Sequence, residues 1–295
     1  MYTLKKYRDK KSHLECINLQ NKKNSLIICP EYGAAISKLI LNGKTLILSP
    51  KKINSPHVYA SSILFPFANR IENGMYTFNG ETQQLNQNEI SNKHAIHGLI
   101  YNKQFKIESY LLKSKKASIT LSYTTKEKGF KGYPFGFRFQ LTYVIEDNKF
   151  TLEVNVKNLG SHTLPFSLGW HPYFYSETTL DRQLQLNAKS KLISNESMIP
   201  IGIDNEHISK LFIDKYFDDC YKLKTNEVIY RTLDYALRLS SNSENNYLQL
   251  YTPENRNLVA IEYMTAPPNC FNSTTDLLLL KPNKEFSNKW GIQLI

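Results

Sequence analysis

Four segments of the chain set ionisable side chains inside apolar, aromatic or Pro/Gly-rich surroundings, the setting in which side-chain chemistry is tuned. In Val259-Ala260-Ile261-Glu262-Tyr263-Met264, Glu262 follows three apolar residues at an expected strand end. A carboxyl there lies either on a polar outer face or in a partly buried pocket, where burial raises its pKa and suits it to act as a general base. The Pro267-Pro268 pair that follows fixes an irregular loop and offers an X-Pro bond for a cis peptide. In Ser167-Leu168-Gly169-Trp170-His171-Pro172-Tyr173-Phe174, His171 closes an expected strand and is flanked by aromatics. An imidazole donates and accepts protons near neutral pH, and aromatic faces pack on the apolar face of a pyranose. The plainer alternative is a core histidine capping a turn.

In Phe65-Pro66-Phe67-Ala68-Asn69-Arg70-Ile71, Arg70 stands between a hydrophobic run and the Gly-rich stretch of Gly74 and Gly80. A guanidinium there either holds a hydroxyl or ring oxygen in its rigid fork, or pairs with a carboxylate to stabilise the loop. In His94-Ala95-Ile96-His97-Gly98-Leu99, two histidines invite a metal. In a strand or loop, however, positions i and i+3 point to opposite faces. No glutamate lies between the two and no third ligand is near, unlike an HExxH site. No metal is expected, and His97, beside Gly98, reads as a polar site residue.

The elements that must position these groups are strands. Phe150, Leu152, Val154 and Val156 alternate with Thr151, Glu153, Asn155 and Lys157, and Ile119, Leu121 and Tyr123 alternate with Ser and Thr. This period of two marks half-buried strands. Glu146–Lys149 predicts a hairpin loop, and Asn79-Gly80 a turn. Further strands are expected at 26–29, 35–41, 106–112, 137–145, 163–168, 184–186, 247–251, 258–263 and 277–281, with Leu277–Leu280 read as a buried strand. One short helix is expected within 204–217, around Ile208–Phe212. Many strands, turn signals between them and few helices predict an all-β fold, a large antiparallel β-sandwich. No linker, repeat or low-complexity block divides the chain, so residues 1–295 are expected to form a single domain. Domains of this class reach about 200–250 residues as one unit.

Composition narrows the function. Tyr (19) and Phe (15) are abundant, as strand-rich chains require. The net charge of +11 comes from lysines scattered in small groups, among them Lys51 and Lys52, that do not interleave with aromatics. A solvated surface with no nucleic-acid partner is the simpler interpretation, though the charge also suits an acidic or phosphorylated sugar. No apolar run is long enough to cross a membrane and no secretory leader is visible. Cys16, Cys29, Cys220 and Cys270 lack CxxC spacing and read as small buried hydrophobes in a reducing, cytoplasmic setting. P-loop, GxGxxG and GxSxG motifs are all missing, which leaves cofactor-dependent redox or phosphoryl transfer unsupported.

Taken in order, the segments FPFANRIENGMYTFNG, HAIHGL, SLGWHPYF, FDDCYKL (Phe217–Leu223) and VAIEYMTAPPNCFN (Val259–Asn272) resemble those of the aldose 1-epimerase (galactose mutarotase-like) family. Each motif alone is weak; five in the right order, between residues 60 and 275, are specific. The resemblance implies a large antiparallel supersandwich with the sugar on a concave sheet face, a cofactor-independent isomerase, and a monomer or homodimer. It implies Glu262 as general base on the anomeric hydroxyl and His171 as general acid on the ring oxygen, on opposite sides of the sugar. It implies Arg70, His97 and Asp218 as substrate-binding residues, with the adjacent Asp219 competing for the last role. The Asp218-Asp219 pair stands where galactose-type members carry Asp-His, a departure that bears on the choice of sugar. Two alternatives share the fold: a hexose-6-phosphate 1-epimerase, which needs extra basic residues near the pocket, and a non-catalytic carbohydrate-binding sandwich.

Overall fold

The computed structural model describes residues 1–50, 53–55, 58–125 and 128–295, so Lys51 and Lys52 lie outside the described residues. Its centre is a hairpin built on alternation. Strands Phe137–Glu146 and Lys149–Asn158 pair antiparallel, with Phe139 opposite Val156, Leu141 opposite Val154 and Tyr143 opposite Leu152. Cross-strand partners share a face, so every apolar member of the row is buried while Gln140, Thr142, Glu153 and Asn155 stay partly exposed. Strand Lys116–Thr124 extends the hairpin on one side. The long strand Glu285–Leu294 extends it on the other, setting Trp290 opposite Leu152 and Ile292 opposite Phe150. The same strand pairs through its far edge with Ala236–Ser241.

Continuing these ladders gives a 21-stranded sheet, accompanied by three two-stranded ones. Every ladder between strands is antiparallel among the described residues, and the large sheet curves back nearly to closure, as the expected β-sandwich requires. The faces meet in an aromatic core. The Phe65 ring lies 4.8 Å from both Phe137 and Phe139, and Trp170 lies 6.0 Å from Trp290. Fully burying one such side chain contributes about 1.5–3 kcal/mol.

Four expectations change. Ile208–Phe212 is a strand, not a helix, and pairs with Gln183–Ser194, Leu211 against Leu184. Ile208 and Leu211 are spaced as on one helical face, but so short a helix is marginal alone, and the neighbouring strand satisfies its backbone groups. That neighbour runs twelve residues instead of three, because its buried row continues from Leu186 through the small Ala188 and Ser190 to Leu192. Leu278–Leu280 is not a buried strand: it pairs only with Leu164–Phe166, leaving Leu279 exposed. The cis peptide falls at Phe65–Pro66 instead of the Pro267-Pro268 loop. The four cysteines are buried and free, as expected. No helix among the described residues is long and apolar enough to cross a membrane.

Candidate active site

Three neighbouring strands carry the site. Strand Tyr247–Tyr251 lies between Asp218–Leu223 and Leu258–Met264. The register sets Asp218 opposite Tyr251 and Tyr251 opposite Ala260, then Cys220 opposite Gln249 and Gln249 opposite Glu262. With a side-chain period of two, Asp218, Gln249, Tyr251 and Glu262 all stand on one face. Asp219 belongs to the other face, where it pairs with Lys191 Nζ at 2.7 Å. Of the two, Asp218 is thus the one that faces the cavity.

Glu262 sits in the interior of its strand, whose seven residues are all buried, and is itself 1 % exposed. His171 arrives from the same side. Strand Gly169–Trp170 pairs with Ile63–Leu64 and, through Gly169, with Met264, and Tyr173 pairs with Ala260. His171 occupies the kink between these two pairings, held by its N–H to Ser62 O and by Ser61 N–H to its own carbonyl. Its Nε2 lies 3.2 Å from Glu262 Oε1. The acid and base expected on opposite sides of a sugar therefore stand side by side, because their strands are direct neighbours in the sheet.

Arg70 opens one of two short antiparallel strands, Arg70–Ile71 and Ala95–Ile96, and His97 directly follows the other. His97 N–H donates to Asn69 O, and Leu99 N–H donates to Phe65 O. Gly98 makes this approach possible: its φ is +75°, and a Cβ there would lie 2.3 Å from Phe65 O. The Pro-Pro loop buttresses the pair, since Asn269 N–H donates to Arg70 O and Asn269 Oδ1 accepts from Glu72 N–H. His94 takes no part. Its Nδ1 accepts from Asn73 N–H and its Nε2 meets Ser197 O. Among the described residues no cluster of three or more His, Cys, Asp or Glu is arranged to hold a metal.

All five expected residues line one cavity of about 390 Å³, together with Asn69, Glu89, Gln249, Tyr59, Tyr173 and Tyr251. That volume suits a small organic ligand. Sequence reasoning named none of these six as site residues, although Tyr173 is one of the aromatics beside His171 expected to pack on a sugar ring. Gln249 was detectable as a lone amide in the aromatic-aliphatic strand Tyr247–Tyr251, whereas Glu89, in a polar stretch, gave no signal. A hydrogen-bonded chain joins several of them. Gln249 Nε2 donates to Asp218 Oδ1 at 2.6 Å, Asn69 Nδ2 donates to Gln249 Oε1 at 3.4 Å, and Arg70 Nη1 donates to Asn69 Oδ1 at 3.2 Å. Arg70 also grips Glu89 through Nε and Nη2 at 2.8–3.1 Å. The loop ion pair foreseen for this arginine is formed, and the same guanidinium also lines the cavity.

Burial controls the electrostatics. It pushes the Glu262 carboxyl well above the usual carboxylate range, with Asp218 adding to the rise and Arg70 opposing it. It pushes His171 down to about 4, and His97 well below the usual histidine range. Asp218 is also raised, by desolvation within the concavity, against the pull of Arg70. Burial thus favours the protonated carboxyl of Glu262 and the neutral imidazole of His171. Glu262 Oε2 and His97 Nδ1 are buried without a hydrogen-bond partner among the described residues. Such groups are costly unless a polar ligand meets them.

The nearly all-β sandwich belongs to a known class: residues 15–293 match the Aldose 1-epimerase family, and the chain is a member of it. Among its relatives is the uncharacterised protein YihR of Escherichia coli K12, 30% identical over 280 residues, 88% of each chain. The galactose mutarotase of Sus scrofa is 27% identical over 158 residues, 52% of this chain and 44% of the relative. The fold matches that of a galactose mutarotase-like protein from Clostridium acetobutylicum with a TM-score of 0.87, at 20% identity and covering 100% and 98% of the two chains. It also matches a galactose 1-epimerase from Lactobacillus acidophilus, with a TM-score of 0.81 at 19% identity, covering 100% and 98%.

Proposed function

We propose that the protein interconverts the α and β anomers of a free aldose by acid/base ring opening. The observation that carries this reading is the contact of His171 Nε2 with Glu262 Oε1 at 3.2 Å on the wall of a sugar-sized cavity. The anomeric hydroxyl and the ring oxygen of a sugar are bonded to the same carbon, so an acid and a base serving both must be adjacent. The proton that burial favours on Glu262 first passes to His171 Nε2 across their 3.2 Å contact. The ionised Glu262 then takes the hydroxyl proton, the C1–O1 bond becomes a carbonyl, the C1–O5 bond breaks, and His171 supplies the proton that O5 needs. Rotation about C1–C2 turns the aldehyde over. Closure reverses the transfers: O5 attacks C1, His171 recovers its proton and Glu262 returns one to O1. No net proton is consumed.

His97 and the free N–H groups of Arg70 face the ligand as donors, and Asp218 accepts from a hydroxyl. Tyr59, Tyr173 and Tyr251 supply faces for the C–H surface of the ring. Each proton-transfer group typically contributes about 10²–10⁴-fold.

Polarimetry of freshly dissolved α-glucose and α-galactose tests this. The wild type is expected to hasten the approach to equilibrium rotation. Glu262→Gln and His171→Asn should each lose about 10²-fold or more while keeping the native circular dichroism. Near-normal rates in either variant would remove that residue from the mechanism. Sugar binding without any acceleration by the wild type would point to a carbohydrate-binding sandwich instead.

A further inference from the structure

The molecule is strongly basic, with a net charge of +11, yet its cavity is not. Among the described residues no lysine lines it, and Arg70 is its one formal cation. Three carboxyl groups, Glu89, Asp218 and Glu262, share the wall with that arginine. Glu89 stands apart from the other two because it bonds to the arginine directly. Its Oε1 accepts from Arg70 Nη2 at 2.8 Å, and its Oε2 accepts from Arg70 Nε at 2.9 Å, a two-pronged grip with both side chains largely buried. Glu89 is itself mounted rigidly. Its backbone N–H donates to His94 O, and Asn92 Nδ2 donates to Oε1 at 3.3 Å.

The guanidinium has five N–H donors. Glu89 takes the one on Nε and one on Nη2, and Asn69 takes one on Nη1. One donor is left on each Nη. These can bond a hydroxyl or ring oxygen, but the charge behind them is already compensated.

We propose that Glu89 is a positioning and selectivity residue: it fixes the fork of Arg70 and, by cancelling its charge beside Asp218, restricts the site to uncharged aldoses and rejects phosphorylated or carboxylated ones. The proposal rests on the mutarotase reading above and narrows its substrate. An anionic group entering the cavity meets a cation whose charge Glu89 largely offsets, together with the carboxyl group of Asp218, so it loses hydration for little counter-charge in return.

The test compares D-glucose with its anionic counterparts D-glucose 6-phosphate and D-glucuronate. The readout is the rate at which each sugar mutarotates and the concentration at which each anion halves turnover of the neutral sugar. For the wild type, both anions are expected to bind at least about tenfold more weakly than glucose. In Glu89→Gln the amide keeps a hydrogen bond to Arg70 but drops the charge. The ratio of anionic to neutral affinity should then rise about tenfold, while the loosened fork raises KM for glucose more than it lowers kcat. Glu89→Asp should retain the discrimination against anions, and Glu81→Gln, an exposed carboxylate outside the cavity, should leave the ratio where it was. An unchanged ratio in Glu89→Gln, an equal rise in Glu81→Gln, or wild-type turnover of the anions matching that of glucose overturns the proposal alone. Should Glu89→Gln fail to fold, the wild-type comparison still decides. A wild type that accelerates no sugar, neutral or anionic, sinks the mutarotase reading and this proposal with it.

Discussion

Glu262 and His171 are poised by what surrounds them more than by each other. Burial raises one and lowers the other to about 4, so a second proton joins the pair only near pH 4, and the first leaves only well above the usual carboxylate range. The free-enzyme kcat/KM should be bell-shaped, with its acid limb near pH 4 and a high alkaline limb, both belonging to the pair. Asp218 raises Glu262, so removing its charge lowers that pKa. Asp218→Asn is therefore expected to move the alkaline limb to lower pH, and Arg70→Met, which removes an opposing charge, to move it higher. Initial rates of mutarotation across pH, corrected for the spontaneous reaction, measure both shifts. An alkaline limb that stays in place in Asp218→Asn would mean that this carboxylate does not act on Glu262.

At the scale of elements, the site depends on two tiny strands, Arg70–Ile71 and Ala95–Ile96, that could not exist alone. They hold because the chain turns through left-handed residues at Asn69, His97 and Gly98 and bonds to Phe65 and Asn69. Gly98→Ala forces a Cβ against Phe65 O in a backbone region that L-residues avoid. Urea unfolding should show a loss of about 1–3 kcal/mol. Because the displaced segment carries His97 and abuts Arg70, kcat/KM should fall by about 10²-fold as well. A variant with native stability and rate would show that the backbone relaxes here without cost. Register matters as much as strain. A slip of one residue in Asp218–Leu223 would turn Asp219 inward and strip Lys191 of its partner.

For the molecule as a whole, the curvature of the large sheet back nearly to closure is what brings distant segments together around the pocket. Strand Glu285–Leu294 joins two distant parts of the sheet, and its Trp290 packs on Trp170, the residue before His171. Trp290→Ala should lower the unfolding free energy by about 3–5 kcal/mol, read from denaturant titration, as expected when a large core side chain leaves a cavity. A loss below about 1 kcal/mol would mean that the surroundings collapse to fill it.

What the sequence determined is what depends on near neighbours in the chain. Alternation over Phe150–Val156 and Ile119–Tyr123, the Asn79-Gly80 turn and the strand at Ala35–Leu41 follow from side-chain period and turn chemistry, and the structure keeps them. The five family-like segments likewise singled out Arg70, His97, His171, Asp218 and Glu262, which the fold gathers around one cavity. The helix expected near Ile208 failed because two apolar residues fit either period, and only the partner strand decides between them. Tertiary structure alone determined which of Asp218 and Asp219 faces the cavity, the full burial of Glu262, its contact with His171 and the grip of Glu89 on Arg70. Each depends on strand register and on which distant segments become neighbours. A polar residue's charge state and bonding partner are set by that neighbourhood, which no local pattern encodes.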